Sequence, residues 1–196
     1  MIGTNNPDKL SELRSLLRDT GIKVFPLADF SQVPEVREDG NTFEANARKK
    51  ARLYSKLAKR LTLADDSGLC VSALRGRPGV YSARFAGKGC SYQDNNVKLL
   101  RLLKNIPAAK RRAKFVCAIA LYDNGKSVGT VKGECSGCIA FGASGKNGFG
   151  YDPVFIPDGF SKTFAALPRK TKNQTSHRGK ALRKAKKVIL AYLKKQ

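Results

Sequence analysis

The chain has 196 residues, 41% of them hydrophobic, which suits a globular domain whose core needs no disulfides. Its longest apolar stretch, FVCAIALY, is much shorter than the ~20 residues of a membrane span, so we expect no membrane anchor. The 38 Lys and Arg against 15 Asp and Glu give a net charge of +23, which is typical of proteins that bind nucleic acid or phosphate-rich ligands.

The N-terminal segment and the cysteines indicate the compartment. MIGTNNPDKL lacks the basic and apolar regions of a signal peptide. Five cysteines without framework spacing indicate reduced thiols, and the pair Cys135 and Cys138 lacks the second pair that a structural zinc site requires. We therefore expect a cytoplasmic protein.

The first third of the chain predicts two helices and a strand. MIGT reads as the end of a short strand, and DKLSELRSLLRDTG, residues 8–21, as a helix with Asn6 as its cap and Pro7 in its first turn. A second amphipathic helix is predicted over residues 42–61. LTLAD, residues 61–65, is predicted to be a short buried strand that ends at an acid pair.

The rest of the chain mixes helices with a hairpin. Ser91 and Asp94 form a capping-box pattern at the start of a third helix. Residues 115–123 and 126–141 read as strands joined at DNGK, residues 151–157 as another strand, and residues 180–195 as a closing amphipathic helix. The inner face of the third helix is predicted to hold Val97, Leu100 and Leu103. This mixture predicts an α/β fold with a mixed sheet.

Two segments could contact phosphates. In TNNPDK, residues 4–9, the N–H groups of a helix start and the charge of Lys9 could bind a phosphate, although the same pattern fits an ordinary capped helix. Asn46 and Lys50 lie one helical turn apart, which could place an ammonium at the edge of a cleft. In a chain so rich in lysine, that spacing also fits a solvated helix face.

Two further segments could contribute to a site. GASGKNGFGYDPVF offers glycines for a close backbone approach, two flat rings in Phe149 and Tyr151, and a carboxylate in Asp152 that could accept hydrogen bonds from a base. It lacks the strand–GxGxxG–helix order of a dinucleotide fingerprint. His177, the only histidine, lies between Ser176 and Arg178; a lone histidine is more often an ordinary surface or core residue, and sequence neighbours do not form a serine triad.

Taken together, TNNPDK, GNTF, ADDSGL, PGVYSARFAG, NGFGYDPVF and SHRGKAL occur in the order found in the non-standard purine nucleoside triphosphate pyrophosphatases, which the chain resembles along its whole length. The resemblance implies one ITPase-like domain over residues 1–196, with an elongated mixed sheet flanked by helices, two lobes and a substrate cleft between them. It also implies a homodimer and Mg²⁺-dependent hydrolysis of ITP, dITP or XTP to the monophosphate and pyrophosphate, which would sanitise the nucleotide pool.

The resemblance also implies roles for individual residues. Asp66 would be the general base and a metal ligand, Glu38 a second metal contact, and Asp65 a further candidate beside them. Ser67 would touch the substrate. The triphosphate would be seated by Thr4, Asn5, Asn6, Pro7, Asp8 and Lys9, with Lys50 assisting. The base pocket would comprise Phe149, Gly150, Tyr151, Asp152, Lys172, His177 and Arg178.

The chain departs from the family pattern in its high charge, its nearly absent first strand, and Ala45, where a glutamate is usual. Two alternatives follow. One is a basic nucleic-acid-binding protein that keeps an enzyme fold, although its basic residues do not alternate with aromatic rings as in a stacking platform. The other is a related pyrophosphatase for modified pyrimidine nucleotides. If the chain is a purine nucleoside triphosphate pyrophosphatase, nucleic-acid binding would be only a non-specific consequence of its basic surface.

Overall fold

A computed structural model describes residues 1–18, 21–30 and 33–195 of the chain, and the backbone alone of Leu16. Helices and strands are interspersed along the chain, as the sequence predicts. The helices are α1 (Pro7–Leu17), α2 (Phe43–Ala58), α3 (Tyr92–Leu102), α4 (Arg169–Thr175) and α5 (His177–Leu193). The strands are β1 (Thr62–Val71), β2 (Arg112–Asp123), β3 (Lys126–Ile139) and β4 (Phe155–Pro157).

The four strands form one sheet in the order β1-β2-β3-β4. β2 and β3 form the predicted hairpin, in which Asn124 and Gly125 both have positive φ, as a two-residue type I′ turn requires. β4 runs antiparallel to β3. Ile2 forms parallel bridges to Leu63 of β1 and to Pro26, so the predicted first strand is reduced to this one residue. Parallel and antiparallel pairings therefore both occur, and the predicted α/β fold is confirmed.

The chain divides into two compact units. Unit 1 comprises Met1–Asp66, Cys117–Gly133 and Arg178–Gln196, and unit 2 comprises Ser67–Val116 and Glu134–His177. Each unit has its own apolar core, and burial of these side chains is the main favourable contribution to folding. The core of unit 1 includes Ile2, Leu13, Leu63, Ile119, Leu121, Leu182, Ala185 and Ile189. The core of unit 2 includes Leu69, Val71, Leu99, Leu103, Phe115, Ile139, Phe155 and Phe164.

Local sequence signals fix several helix starts. Asn6 accepts a hydrogen bond from the backbone N–H of Lys9 at 3.0 Å, and Thr42 caps α2 in the same way through Ala45 at 3.1 Å. Ser91 and Asp94 form the predicted capping box of α3. The predicted first helix reaches residue 21, but α1 ends at Leu17, and residues 19 and 20, with the side chain of Leu16, lie outside the described part of the chain.

Three sequence predictions about the ends of helices and strands were wrong. β1 does not end at Asp65 but continues to Val71, because pairing in the sheet extends it through Ser67 and Gly68. α2 ends at Ala58, three residues before the predicted end, because Lys59 adopts a left-handed conformation. The closing helix begins at His177 rather than at residue 180.

The inner face of α3 also differs from the prediction. Leu103 is fully buried and Leu100 packs against the core of unit 2, as predicted, but Val97 is 59% exposed. Leu99, one turn before Leu103, is buried instead. The segment 151–157 is only partly a strand: a 3-10 turn, Asp152–Val154, precedes β4. None of the described helices is long and apolar enough to span a membrane.

Candidate functional site

Asp65 and Asp66 lie in the middle of β1 and are almost completely buried, with 1% and 4% exposure. Consecutive residues of a strand point to opposite faces, so the two carboxylates have different surroundings although they are neighbours in sequence. A buried carboxylate is costly unless a cation or hydrogen-bond donors compensate it. The partners of each aspartate therefore distinguish their roles.

Asp65 lies among cations. The Lys9 Nζ and Arg178 Nε atoms are 3.1 and 3.7 Å from Asp65 Oδ2, and the Cys117 thiol lies 4.0 Å from it. Burial by itself raises the pKa of Asp65, but the neighbouring cations, Lys9 first, outweigh burial and hold that pKa well below its usual range. Asp65 is therefore ionised at neutral pH and positions basic side chains.

Arg178 has a second acidic partner. Its Nη1 atom donates to Glu12 Oε2 at 2.6 Å, and both side chains are more than nine-tenths buried. Burial alone lowers the pKa of Arg178, but Glu12 and Asp65 outweigh it and raise that pKa. Arg178 therefore joins α5, α1 and β1 through two carboxylates.

Asp66 has a different environment. Its Oδ2 atom accepts a hydrogen bond from Asn46 Nδ2 at 2.9 Å, and Asn46 Oδ1 in turn accepts from the N–H of Gly40 at 2.8 Å. Burial is the main influence on the pKa of Asp66, Glu38 adds to it, and Lys50 opposes it; the net effect is a raised pKa. A carboxylate with a raised pKa is a better proton acceptor than an ordinary aspartate, as general-base catalysis requires.

Glu38 and Lys50 form an ion pair beside Asp66. Burial alone lowers the pKa of Lys50, but the surrounding carboxylates, Asp65 first, outweigh it, so Lys50 stays a cation. The structure therefore brings together five residues that the sequence singled out: Lys9, Glu38, Lys50, Asp65 and Asp66. All five belong to unit 1. We call the three carboxylates among them, Glu38, Asp65 and Asp66, the acid cluster.

The segment Thr4 to Lys9 forms the turn into α1. Thr4 Oγ1 accepts the N–H of Asn6 at 3.2 Å, and Asn6 caps the helix, so the turn is held by its own side chains. Asn5 is exposed, and Pro7 occupies the first helical turn. Through Lys9 this helix start is tied directly to Asp65. The predicted phosphate-binding segment, residues 4–9, therefore lies next to the acid cluster.

The acid cluster can be tested as a Mg²⁺ site. Carboxylate oxygens are the ligands that Mg²⁺ prefers, and the raised pKa of Asp66 marks a carboxylate that a nearby cation would stabilise. Within the described ranges, no three His, Cys, Asp or Glu side chains are grouped as a preformed metal site. This agrees with the usual binding of Mg²⁺ through one or two carboxylates, with phosphate and water oxygens completing the shell. Asp66 and Glu38 fit such a role.

A second cluster, in unit 2, surrounds Asp152. Its Oδ2 atom accepts hydrogen bonds from Lys172 Nζ at 2.6 Å and from the N–H of Phe149 at 2.8 Å. Lys172 Nζ also lies 4.9 Å from the centre of the Phe149 ring, and the ring of Tyr92 lies 5.9 Å from the Phe149 ring. Phe149 is half-buried and can offer a ring face, while Asp152 is fixed by its two donors.

Two other residues predicted for the base pocket, Tyr151 and His177, are buried. Tyr151 is 5% exposed, belongs to the core of unit 2 and donates its hydroxyl to the carbonyl of Ser82 at 2.9 Å. His177 is also buried, and its ring stacks on Phe115 at 4.6 Å. Gly150 has a positive φ, and its carbonyl accepts a hydrogen bond from Asn96 Nδ2 at 2.9 Å. Ser67 lies in β1, next to Asp66.

We expect Gly148→Ala to destabilise the protein more than Gly150→Ala. Both glycines have φ between 60° and 80°, which costs an alanine roughly 1–2 kcal/mol. Only at Gly148 would the new Cβ overlap the fixed carboxylate of Asp152, whereas at Gly150 the space is open. The free energy of unfolding in urea should fall by about 1–3 kcal/mol more for Gly148→Ala. Equal losses would mean that Asp152 moves aside freely.

Sequence reasoning missed three features of these clusters. Glu12, the partner of Arg178, lies three residues after Lys9 on α1, so helical spacing was the available signal. Tyr92 begins α3 and was not linked to Phe149. Helix α4, which carries Lys172, was not predicted, because its sequence RKTKNQT has no apolar stripe.

Comparison with known proteins identifies a matching family and similar relatives over nearly the whole chain. The model of the Ham1 family matches residues 1–188. A dITP/XTP pyrophosphatase of Desulforamulus reducens is 47% identical over 189 residues, covering 96% of this chain and 94% of the relative. One of Geobacter sulfurreducens is 46% identical over 182 residues, covering 93% and 92%.

Solved structures of related proteins have the same fold as this chain. A HAM1 protein from Coxiella burnetii has a TM-score of 0.88 at 41% identity and covers 97% of both chains. A nucleoside-triphosphatase / dITP/XTP pyrophosphatase from Mycobacterium abscessus has a TM-score of 0.77 at 41% identity, covering 94% of this chain and 95% of that one. The chain therefore belongs to the Ham1 family.

Proposed function

We propose that the protein hydrolyses non-standard purine nucleoside triphosphates, ITP, dITP and XTP, to the monophosphate and pyrophosphate. The relatives named dITP/XTP pyrophosphatase make the chain a hydrolase that acts on triphosphate anhydrides. The observation that carries the proposal is the contrast on β1, where Asp65 is held ionised by cations and the neighbouring Asp66 has a raised pKa.

In the proposed reaction, Asp66 accepts a proton from the attacking water. The new oxygen–phosphorus bond forms as the α–β anhydride bond breaks, and pyrophosphate leaves with the electron pair of that bond. Asn46 fixes one oxygen of Asp66, so the other oxygen is oriented as the proton acceptor. Lys9 and Lys50 offset the negative charge of the triphosphate, and Asp65 holds the Lys9 ammonium in place.

We propose Mg²⁺ as the cofactor, held by Asp66 and Glu38 and by oxygens of the substrate. When bound, it would neutralise phosphate charge and lower the pKa of the attacking water. Glu38 forms an ion pair with Lys50, so Lys50 lies directly beside the carboxylate that would bind the metal. The remaining carboxylate of the cluster, Asp65, forms ion pairs with Lys9 and Arg178.

For recognition of the base, the unit 2 cluster supports a role for Phe149, Asp152 and Lys172. The Phe149 ring can stack on a purine, and the ammonium of Lys172 can donate a hydrogen bond to a 6-oxo group. The 6-amino group of adenine cannot serve as the acceptor of that hydrogen bond. His177 and Arg178 are buried, so we propose that they act mainly by holding the structure around the site. Discrimination against adenine then follows from leaving a buried donor without an acceptor.

A substrate panel tests the proposal. With Mg²⁺, we expect pyrophosphate release from ITP, dITP and XTP at rates about 10²-fold or more above those with ATP, which lacks the 6-oxo group, and with GTP, which keeps that group and would have to be rejected at its 2-amino group. Addition of EDTA should abolish release in every case. Comparable rates on all five nucleotides would contradict the proposed specificity, and a preference for modified pyrimidine triphosphates would favour the related pyrimidine enzyme.

Two further features belong to the proposal. Removal of such nucleotides from the cytoplasmic pool would prevent their incorporation into DNA and RNA. We also propose a homodimer, which size-exclusion chromatography with light scattering can test directly. A monomer at micromolar concentration would contradict it.

A further inference from the structure

The outer face of α5 carries basic residues at helical spacing. Residues 177–195 contain no Asp or Glu. The backbone N–H groups of Lys194 and Lys195 still bond to carbonyls of the helix, so the last turn continues past Leu193. The exposed basic residues, which we call the α5 basic face, are Lys180, Arg183, Lys184, Lys187, Lys194 and Lys195.

The orientation of this face is fixed by the opposite side of the helix. There, Ala181, Leu182, Ala185 and Ile189 are buried in the core of unit 1. At 1.5 Å per residue, the basic face extends over about 22 Å. It is thus a rigid row of positive charges rather than a mobile tail.

Neighbouring elements of unit 1 widen the positive surface. Lys184 Nζ donates to the carbonyl of Lys132 on β3 at 2.8 Å, and Arg48 Nε of α2 donates to Thr130 Oγ1 of β3 at 3.1 Å. The exposed side chain of Lys132 lies beside α5, and the exposed side chain of Arg48, which belongs to α2, lies beside β3. Glu44 lies 3.7 Å from Lys132 and offsets one of these charges. The α5 basic face therefore borders a further basic residue, Lys132, on β3.

We propose that the α5 basic face binds the phosphate backbone of duplex nucleic acid, independently of base sequence. Duplex DNA carries one charge per about 1.7 Å, so a row of about 22 Å can neutralise several phosphates. Lys and Arg without a set of base-reading side chains bind the backbone and position it, without specifying sequence. This binding goes beyond the proposed hydrolysis and does not depend on it, because the α5 basic face contributes none of the acid-cluster residues.

Other polyanions fit less well. An amphipathic helix binds a membrane by inserting its apolar face, but that face of α5 is occupied by the core. Binding of single strands relies on aromatic rings that stack on bases. Of the two rings on α5, that of His177 is buried against Phe115, and that of Tyr192 is half-buried and donates its hydroxyl to Asp123 at 2.9 Å.

The test measures binding of the full chain to a fluorescent duplex of mixed sequence, of about 20 base pairs, by anisotropy across a salt series. We expect micromolar binding at low salt and a slope of log K against log salt of about −4 to −5. The variant K180Q/R183Q/K187Q/K194Q should reduce the magnitude of the slope by about three to four and the affinity at least tenfold. Its circular dichroism and thermal midpoint should stay close to those of the wild type.

A matched control removes the same number of exposed charges from unit 2: K88Q/R101Q/K104Q/K110Q. It should change the affinity less than threefold. An equal loss in both variants would overturn the proposal in favour of diffuse charge, and no loss in the α5 variant would overturn it outright. Tighter binding to phosphatidylserine vesicles than to the duplex would also contradict it. Failure of the substrate panel would leave these outcomes unaffected.

Discussion

Replacing Asp66 by asparagine is expected to lower turnover of ITP by about 10²–10⁴-fold, the usual loss when a general base is removed. Asparagine keeps the shape of the side chain and can still accept the hydrogen bond from Asn46, so the fold should be retained. It can neither accept the proton nor bind Mg²⁺ as a carboxylate does. Initial rates of pyrophosphate release, measured at saturating ITP and Mg²⁺, give the comparison.

The same variant should be more stable than the wild type when EDTA is present. Because burial and Glu38 raise the pKa of Asp66, the ionised carboxylate is less favourable in the folded chain than in water, and asparagine removes that cost. Thermal unfolding should show a higher midpoint for Asp66→Asn in EDTA. Added Mg²⁺ should raise the midpoint of the wild type and have less effect on the variant.

Asp158→Asn is the matched control for Asp66→Asn. Asp158 is about half exposed and pairs with Arg112 on the surface of unit 2. Its replacement should change neither turnover nor the response to Mg²⁺. Full activity of Asp66→Asn would remove Asp66 as the base, and turnover lost together with a lowered midpoint would point to misfolding instead.

The local rules of sequence predicted the start of α1, the capping box of α3 and the β2–β3 hairpin, because each depends on residues within a few positions. They failed for β1. Ser67 and Gly68 favour a turn locally, but pairing with β2 keeps this segment extended. The carboxylates therefore lie within the strand and not at its end.

The site was predictable in its residue types and only partly in its geometry. Strand alternation alone implies that Asp65 and Asp66 face opposite ways. Which cations meet Asp65 depends on contacts across the fold: Glu12 and Arg178 are 166 residues apart. No local pattern reveals such a pair. The resemblance implied that Arg178 lies in the base pocket. In the structure its guanidinium contacts two carboxylates, those of Glu12 and Asp65.

Replacing Arg178 by methionine is expected to lower the free energy of unfolding by about 3–5 kcal/mol, because it leaves the buried carboxylates of Glu12 and Asp65 without this cation. Urea unfolding at neutral pH measures the loss. Arg112→Met is the matched control: its guanidinium also binds a carboxylate, Asp158, at 2.7 Å, but the pair is half exposed and should contribute about 1 kcal/mol or less.

A second substitution separates stability from substrate binding. Adding Glu12→Gln to Arg178→Met removes one of the two uncompensated carboxylates, so the double variant should recover part of the lost stability. If Arg178 instead served only to contact the base, Arg178→Met would raise the KM for ITP and leave the unfolding curve unchanged. That outcome would contradict its role as the buried cation between α1, β1 and α5. A large loss with partial recovery in the double variant would establish that Arg178 is the buried counter-ion of Glu12, as the 2.6 Å contact between them indicates.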